Sequence, residues 1–168
     1  VYKRQVPTPL LYFSTFETNV SDGVMLTGSH NPKNYNGLKI VIDKKSMTNE
    51  KIKKIKLIID EENYLNGAGH ISTFDVKEDY LREIKNKINI GSKIKVCLDC
   101  GNGVGGVIAP KAFRLAGIDL IELHTKVDGN FPNHHPDPSD PKNLKDLQNK
   151  VLETNSDLGI ALDGDGDR

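Results

Sequence analysis

The chain has 168 residues, 36% of them hydrophobic, with 23 Lys plus Arg set against 23 Asp plus Glu and only 6% aromatic residues without a single Trp. That length and apolar content suit one large or two small globular domains. A balanced charge offers no field for nucleic acid or an anionic membrane, and aromatic stacking platforms are sparse, so small-molecule chemistry is the expected business of the chain. It opens on Val1 rather than methionine, and Val1-Tyr2-Lys3-Arg4-Gln5 leads into no signal-like core, so a segment of a longer cytoplasmic protein, with no membrane span, is expected.

In chain order, Gly23 to Thr27 and Leu38 to Ile42 read as buried strands. Between them Thr27-Gly28-Ser29-His30-Asn31-Pro32 crowds a serine, an imidazole and an amide where the chain must turn, because Pro32 denies Asn31 a helical conformation. No G-x-S-x-G elbow is formed, and Ser29 as a cap with His30 on the surface stays open beside a catalytic reading. Lys39 lies on the second strand, where a lone lysine is commonly solvated. From Glu50 to Leu65 a helix carries Ile52, Ile55, Ile58 and Ile59 on one face behind a Thr48/Asn49 cap, with its lysines on the wet face. A second helix runs from an Asp75 cap through Val76, Tyr80, Ile84 and Ile88.

Polar residues 89–93 then reset the pattern, and the domain boundary is placed there, giving units 1–90 and 91–168. Strand Ile94 to Leu98, helix Val107 to Ala116, strand Leu120 to Leu123, helix Leu144 to Leu152 and strand Leu158 to Leu162 follow. This β-α-β-α-β series predicts a parallel sheet with helical crossovers in an α/β protein. Cys97 and Cys100 have C-x-x-C spacing, but Cys97 sits inside a strand and no matching zinc ligands accompany the pair, so a buried thiol at 97 and a loop thiol at 100 are expected. Gly101-Asn102-Gly103-Val104-Gly105-Gly106 fits G-x-G-x-x-G between strand and helix, with Glu122 about 20 residues on. An NAD(P)-binding oxidoreductase therefore stands beside a merely tight turn. The irregular stretch 127–140, with three prolines and His134-His135, is too long for a plain connector and is expected to be a structured loop near a domain interface.

The chain closes on Asp163-Gly164-Asp165-Gly166-Asp167-Arg168. Three carboxylates at alternate positions can turn toward one point, and their mutual repulsion is best relieved by a hard divalent cation; an all-oxygen set favours Mg²⁺ or Ca²⁺ over zinc. An EF-hand does not fit, since Arg168 stands where its glycine belongs. A noncatalytic cation-binding module remains possible on this loop alone. If the serine and acid loops face one another, they assemble an oxygen nucleophile, a cation and a base, which is equipment for phosphoryl transfer.

Taken together, Thr27 to Pro32, Tyr35 to Val41, Asp99 to Gly103, Val127 to Pro138 and Asp163 to Arg168 closely resemble the α-D-phosphohexomutase family, over nearly the whole chain and in order, nearest to its bacterial phosphomannomutase/phosphoglucomutase branch. The resemblance implies two consecutive, incomplete α/β domains with mixed and parallel sheets, the first bearing the phosphoserine loop and the second the metal loop. It makes the glycine loop a strand-to-helix turn. It implies that Ser29 carries the phosphoryl group, that Asp163, Asp165, Asp167 and a phosphoserine oxygen hold one Mg²⁺, and that Arg168 contacts the phosphoserine. Lys39 would be the general acid/base, and His30 and Asn31 would shape the phosphate environment. The implied reaction interconverts hexose 6-phosphate and hexose 1-phosphate of mannose or glucose, through a bisphosphosugar, with glucose or mannose 1,6-bisphosphate as activator. A monomer is implied for the complete protein. Aminosugar mutases share the family, and the loops that grip the sugar and its nonreacting phosphate belong to later domains, so little or no turnover is expected from these 168 residues alone.

Overall fold

A helix that the periodicity does not announce opens the structure. The computed structural model describes residues 5–168; the reading of Val1 to Arg4 lies outside them. Helix α1 (Thr8–Glu17) follows Pro7 and has a proline in its first turn, where the missing N–H costs nothing and the fixed φ suits a helix start. It buries Thr8, Leu10 and Thr15.

Strands β1 (Gly23–Leu26), β2 (Leu38–Ile42) and β3 (Lys45–Ser46) form an antiparallel sheet in that order. The register sets Met25 opposite Lys39 and Leu26 opposite Leu38, so the loop 27–37 springs from the same end of the ladder that carries Lys39. Helix α2 (Asn49–Asp60) ends five residues before the expected Leu65, and no residue of it is buried. Its isoleucine face, expected to be the inward one, leaves Ile52, Ile58 and Ile59 about half exposed. Helix α3 (Lys77–Lys87) starts where the Asp75 carboxylate accepts the Lys77 N–H at 3.0 Å, as the cap reading expects.

The second sheet is parallel and ordered β5-β4-β6, from β4 (Lys95–Asp99), β5 (Asp119–Leu123) and β6 (Leu158–Ala161). A short 3₁₀ turn, Val104–Val107, leads to helix α4 (Ala109–Leu115), and another, Pro141–Leu144, leads to α5 (Lys145–Thr154). Alternate β4 side chains go to opposite layers. Leu98 packs with Ala109 and Phe113 of α4 and with Ile160 and Leu162, whereas Cys97 reaches Thr154 and Ser156 at the end of α5. Gly159 lets α5 approach, since a Cβ there would meet Val151 and Leu147. A further core joins the two sheets' layers: Leu10 of α1, Val76, Leu81 of α3, and Ile108 and Ala112 by α4, with Phe13 and Tyr80 edge to face at 5.3 Å.

Both cysteines are free. Cys100 is fully buried, against the expectation of a loop thiol, because the chain turns back under Leu98 and Ala109 instead of running out to solvent. Burial, with the Asp99 and Glu122 charges, pushes its thiol up to about 12. Among the described residues no helix is long and apolar enough to cross a membrane.

Candidate active site

Parallel sheets deliver their loops at the C-terminal ends of the strands. The turn after β6 holds Asp163, Asp165 and Asp167, with one oxygen from each within 4.8 Å of the others. Asp163 Oδ1 accepts the N–H groups of Asp167 at 3.1 Å and Arg168 at 3.2 Å, and the Asp163 N–H donates to the Arg168 carbonyl at 3.0 Å. Gly166 bends the turn with a φ of 71°, a left-handed value that suits glycine.

Serine and acid loops meet directly. Ser29 Oγ donates to Asp163 Oδ2 at 3.0 Å and lies 3.4 Å from Asp165 Oδ1. Arg168 Nη2 donates to Ser29 Oγ at 3.2 Å and stands 3.4 Å from Asp163 Oδ2. His30 Nδ1 lies 3.4 Å from the serine oxygen and touches Arg168. Backbone approach is as close as side-chain contact, since a Cβ on Gly164 would run into the Ser29 carbonyl oxygen. Ser29 itself has a φ of 50°, in the left-handed region that costs a non-glycine residue energy and is often retained at functional positions.

Lys39 comes from β2 and closes the other flank, paired with Asp165 Oδ2 at 3.0 Å and in close contact with Asp167. Burial disfavours its ammonium, yet hydrogen bonds and charge from Asp167 and Asp165 outweigh that and raise its pKa. Burial likewise works against ionised Asp165, but donors at Thr8, Lys39 and Thr27 bring its pKa down to about 2. At Asp163, burial and then the Asp165 charge dominate, and its pKa rises. A divalent cation would relieve that repulsion, so the oxygen donors fit Mg²⁺, a small hard ion that accepts few carboxylates.

Of the residues singled out from sequence, Ser29, His30, Lys39, Asp163, Asp165, Asp167 and Arg168 converge here. Asn31 is in the same turn, its N–H donating to the Gly28 carbonyl at 2.9 Å, without a side-chain bond to the centre. Sequence reasoning missed Thr8 and Thr27. Thr8 Oγ1 donates to Asp165 Oδ2 at 2.6 Å, and its N–H donates to the Asp165 carbonyl at 2.9 Å. Thr27 Oγ1 donates to the same carboxylate oxygen at 2.9 Å and accepts the Ser29 N–H at 2.8 Å. The proline pair around Thr8 was the available signal of a fixed helix start.

The glycine loop is closed to a dinucleotide. A Cβ on Gly103 would meet the Gly164 carbonyl at 2.8 Å, one on Gly106 would strike the Thr125 carbonyl, and the Val104 N–H donates to Gly164 at 3.0 Å. Glu122 is already paired with Arg114. These glycines permit backbone packing beneath the acid loop.

Residues 1–66 match the family model described as phosphoglucomutase/phosphomannomutase, alpha/beta/alpha domain I, and residues 78–168 match that of domain II. A phosphomannomutase/phosphoglucomutase of Pseudomonas aeruginosa is 48% identical over 163 residues, covering 97% of this chain and 35% of that protein. A phosphoglucomutase of Neisseria meningitidis is 39% identical over 165 residues, covering 97% and 36%. The crystal structure of a phosphoglucomutase/phosphomannomutase family protein from Burkholderia thailandensis superposes with a TM-score of 0.93 at 38% identity, covering 98% of this chain and 38% of that one. The chain thus spans about a third of the length of these relatives.

Proposed function

Because the chain belongs to the phosphoglucomutase/phosphomannomutase family, we propose that the complete protein interconverts hexose 6-phosphate and hexose 1-phosphate, of mannose, glucose or both, through a phosphoserine at Ser29. The contact of Ser29 Oγ with Asp163 and Arg168 carries this reading, because it places a nucleophilic oxygen between a cation site and a guanidinium. The substrate follows from the names of the relatives, and the two units meet at residues 90 and 91.

In the proposed cycle a sugar hydroxyl attacks the phosphorus of phosphoserine. The new P–O bond forms to the sugar, the bond to Ser29 Oγ breaks, and the hydroxyl proton leaves to a base. The resulting bisphosphosugar turns over and returns its other phosphate to Ser29, regenerating the resting enzyme. Lys39 serves as the general acid/base: its carboxylate partners outweigh burial and keep it in the acid form, from which it gives its proton to the leaving Ser29 oxygen and, so deprotonated, takes up the proton of the attacking hydroxyl. Arg168 offers a planar fork to the phosphoryl oxygens, and His30 and Asn31 line the turn that receives them. One Mg²⁺ held by Asp163, Asp165, Asp167 and the phosphoserine supplies positive charge to the transferring group when bound. Ser29 has a further constraint in its own backbone, since Thr27 holds its N–H and Gly164 abuts its carbonyl. Glucose or mannose 1,6-bisphosphate would rephosphorylate an emptied serine. A cytoplasmic monomer is the expected state.

The test is peptide mass spectrometry on the complete protein after incubation with glucose 1,6-bisphosphate and Mg²⁺. Phosphate on Ser29, absent in Ser29→Ala and diminished in Asp165→Asn, is the expected result. An unmodified Ser29 in a folded, cation-binding protein overturns the reading.

A further inference from the structure

A second group of ligand-bearing side chains lies at the ends of β4 and β5. One atom each from Asp99, His124 and His134 falls within 4.8 Å of the others, outside the acid loop and unused by the proposed reaction. Asp99 is the last residue of β4, His124 directly follows β5, and His134 comes from the irregular loop 127–140. The three are far apart in sequence and meet only through the fold.

Each ligand is held by a contact on its far side. Asp99 Oδ1 accepts the Gly101 N–H at 2.8 Å, leaving Oδ2 toward the histidines. His134 Nδ1 donates to the His135 carbonyl at 3.0 Å. His134 Nε2 donates to Asp99 Oδ2 at 2.9 Å, so a metal ion bound between them would replace the proton they share. His124 has Asp146 Oδ2 at 3.2 Å from its Nε2, and its ring meets His134 edge to face at 5.3 Å between centroids. Backbone carbonyls and carboxylates behind imidazole ligands are the usual outer support of metal-binding histidines.

We propose that Asp99, His124 and His134 bind a divalent transition metal, zinc being the ion that two imidazoles and a carboxylate suit, with water in the remaining position. The donor set differs in kind from the all-oxygen acid loop, so the two sites sort different ions. Its consequence is mechanical. Asn133 Nδ2 donates to Asn102 Oδ1 at 2.7 Å, and Pro136 lies against Gly164 of the acid loop; an ion at His134 ties the loop 127–140 to the sheet ends just where it supports that turn.

Zinc titration of the complete protein by calorimetry, in a large excess of Mg²⁺, tests the assignment. One equivalent is expected to bind, to survive Asp163→Asn with Asp165→Asn, and to weaken in His124→Gln or His134→Gln by more than the roughly 10–100-fold that loss of an outer partner costs. X-ray absorption of the zinc-loaded parent protein, which needs no variant, is expected to show imidazole scattering. Binding abolished by the acid-loop double variant but unchanged in His124→Gln, oxygen-only scattering, or no zinc uptake over Mg²⁺ would each overturn it. None of these outcomes depends on Ser29 or on turnover, so failure here leaves the mutase reading standing.

Discussion

The two sheets are of equal strand number and opposite character. In the parallel one, β4 is covered on both faces, and Val96, Cys97, Leu98 and Asp99 are almost inaccessible. In the antiparallel one only Val41 is comparably buried, while Val24, Leu26 and Leu38 stand about 60% or more exposed. Crossover helices explain the contrast, since α4 and α5 must lie on the sheet they connect, whereas hairpins bring no cover of their own. The candidate site draws from both. Ser29 and Lys39 belong to the lightly covered sheet, and the three aspartates and Arg168 to the well-packed one. Geometry at the centre therefore depends on the polar contacts between them, chiefly those of Asp165.

The contrast breaks or holds first on stability. Leu98→Ala, in the packed sheet, is expected to cost about 2–5 kcal/mol, and Leu26→Ala, in the open one, within roughly 0.5 kcal/mol of nothing, by urea denaturation. Equal losses would show that the antiparallel sheet is covered in the complete protein. Next comes the joint itself. Gly164→Ala drives a Cβ into the Ser29 carbonyl, and a displacement of order 1 Å should lower kcat of the complete protein about 10²-fold while the circular dichroism spectrum is kept. A smaller change is expected from Thr8→Val, which removes one of the donors to Asp165. About 1–3 kcal/mol is expected, read as a lower Tm and an upward drift of the Asp165 pKa by carboxyl NMR.

The smallest effect is a pH slope within the packed sheet. Cys100 has its pKa raised to about 12 from an ordinary 9.0. Its contribution is therefore fully present below about pH 9 and is lost as pH rises toward the folded value, because the unfolded thiol ionises first. Cys100→Ala should flatten the alkaline decline of stability, and the native thiol should resist alkylation at pH 8.

What could be read in advance follows the same division. The β-α-β-α-β series and the acid loop were legible because each has a short-range signature, a run of apolar residues between helices in one case and alternating aspartates in the other. Helix α1 was not, since Leu10, Leu11, Tyr12 and Phe13 stand together and give no period, and Pro7 and Pro9 look like breakers. With it went Thr8, whose partner lies 157 residues away. The inward face expected of α2 failed because periodicity states which residues share a side, not whether anything packs there. At Cys100 the pattern marked the end of a strand correctly but could not show the chain folding back beneath it.

The ring of bonds within Asp163 to Arg168 has one more effect. Asp163 Oδ1 is tied to two amides of its own turn, so the entropy of arranging the carboxylates is lost during folding and none of it is charged to ion capture. Such preorganisation favours a small ion of strict geometry, because a stiff ring cannot widen to admit the six to eight oxygens that Ca²⁺ takes.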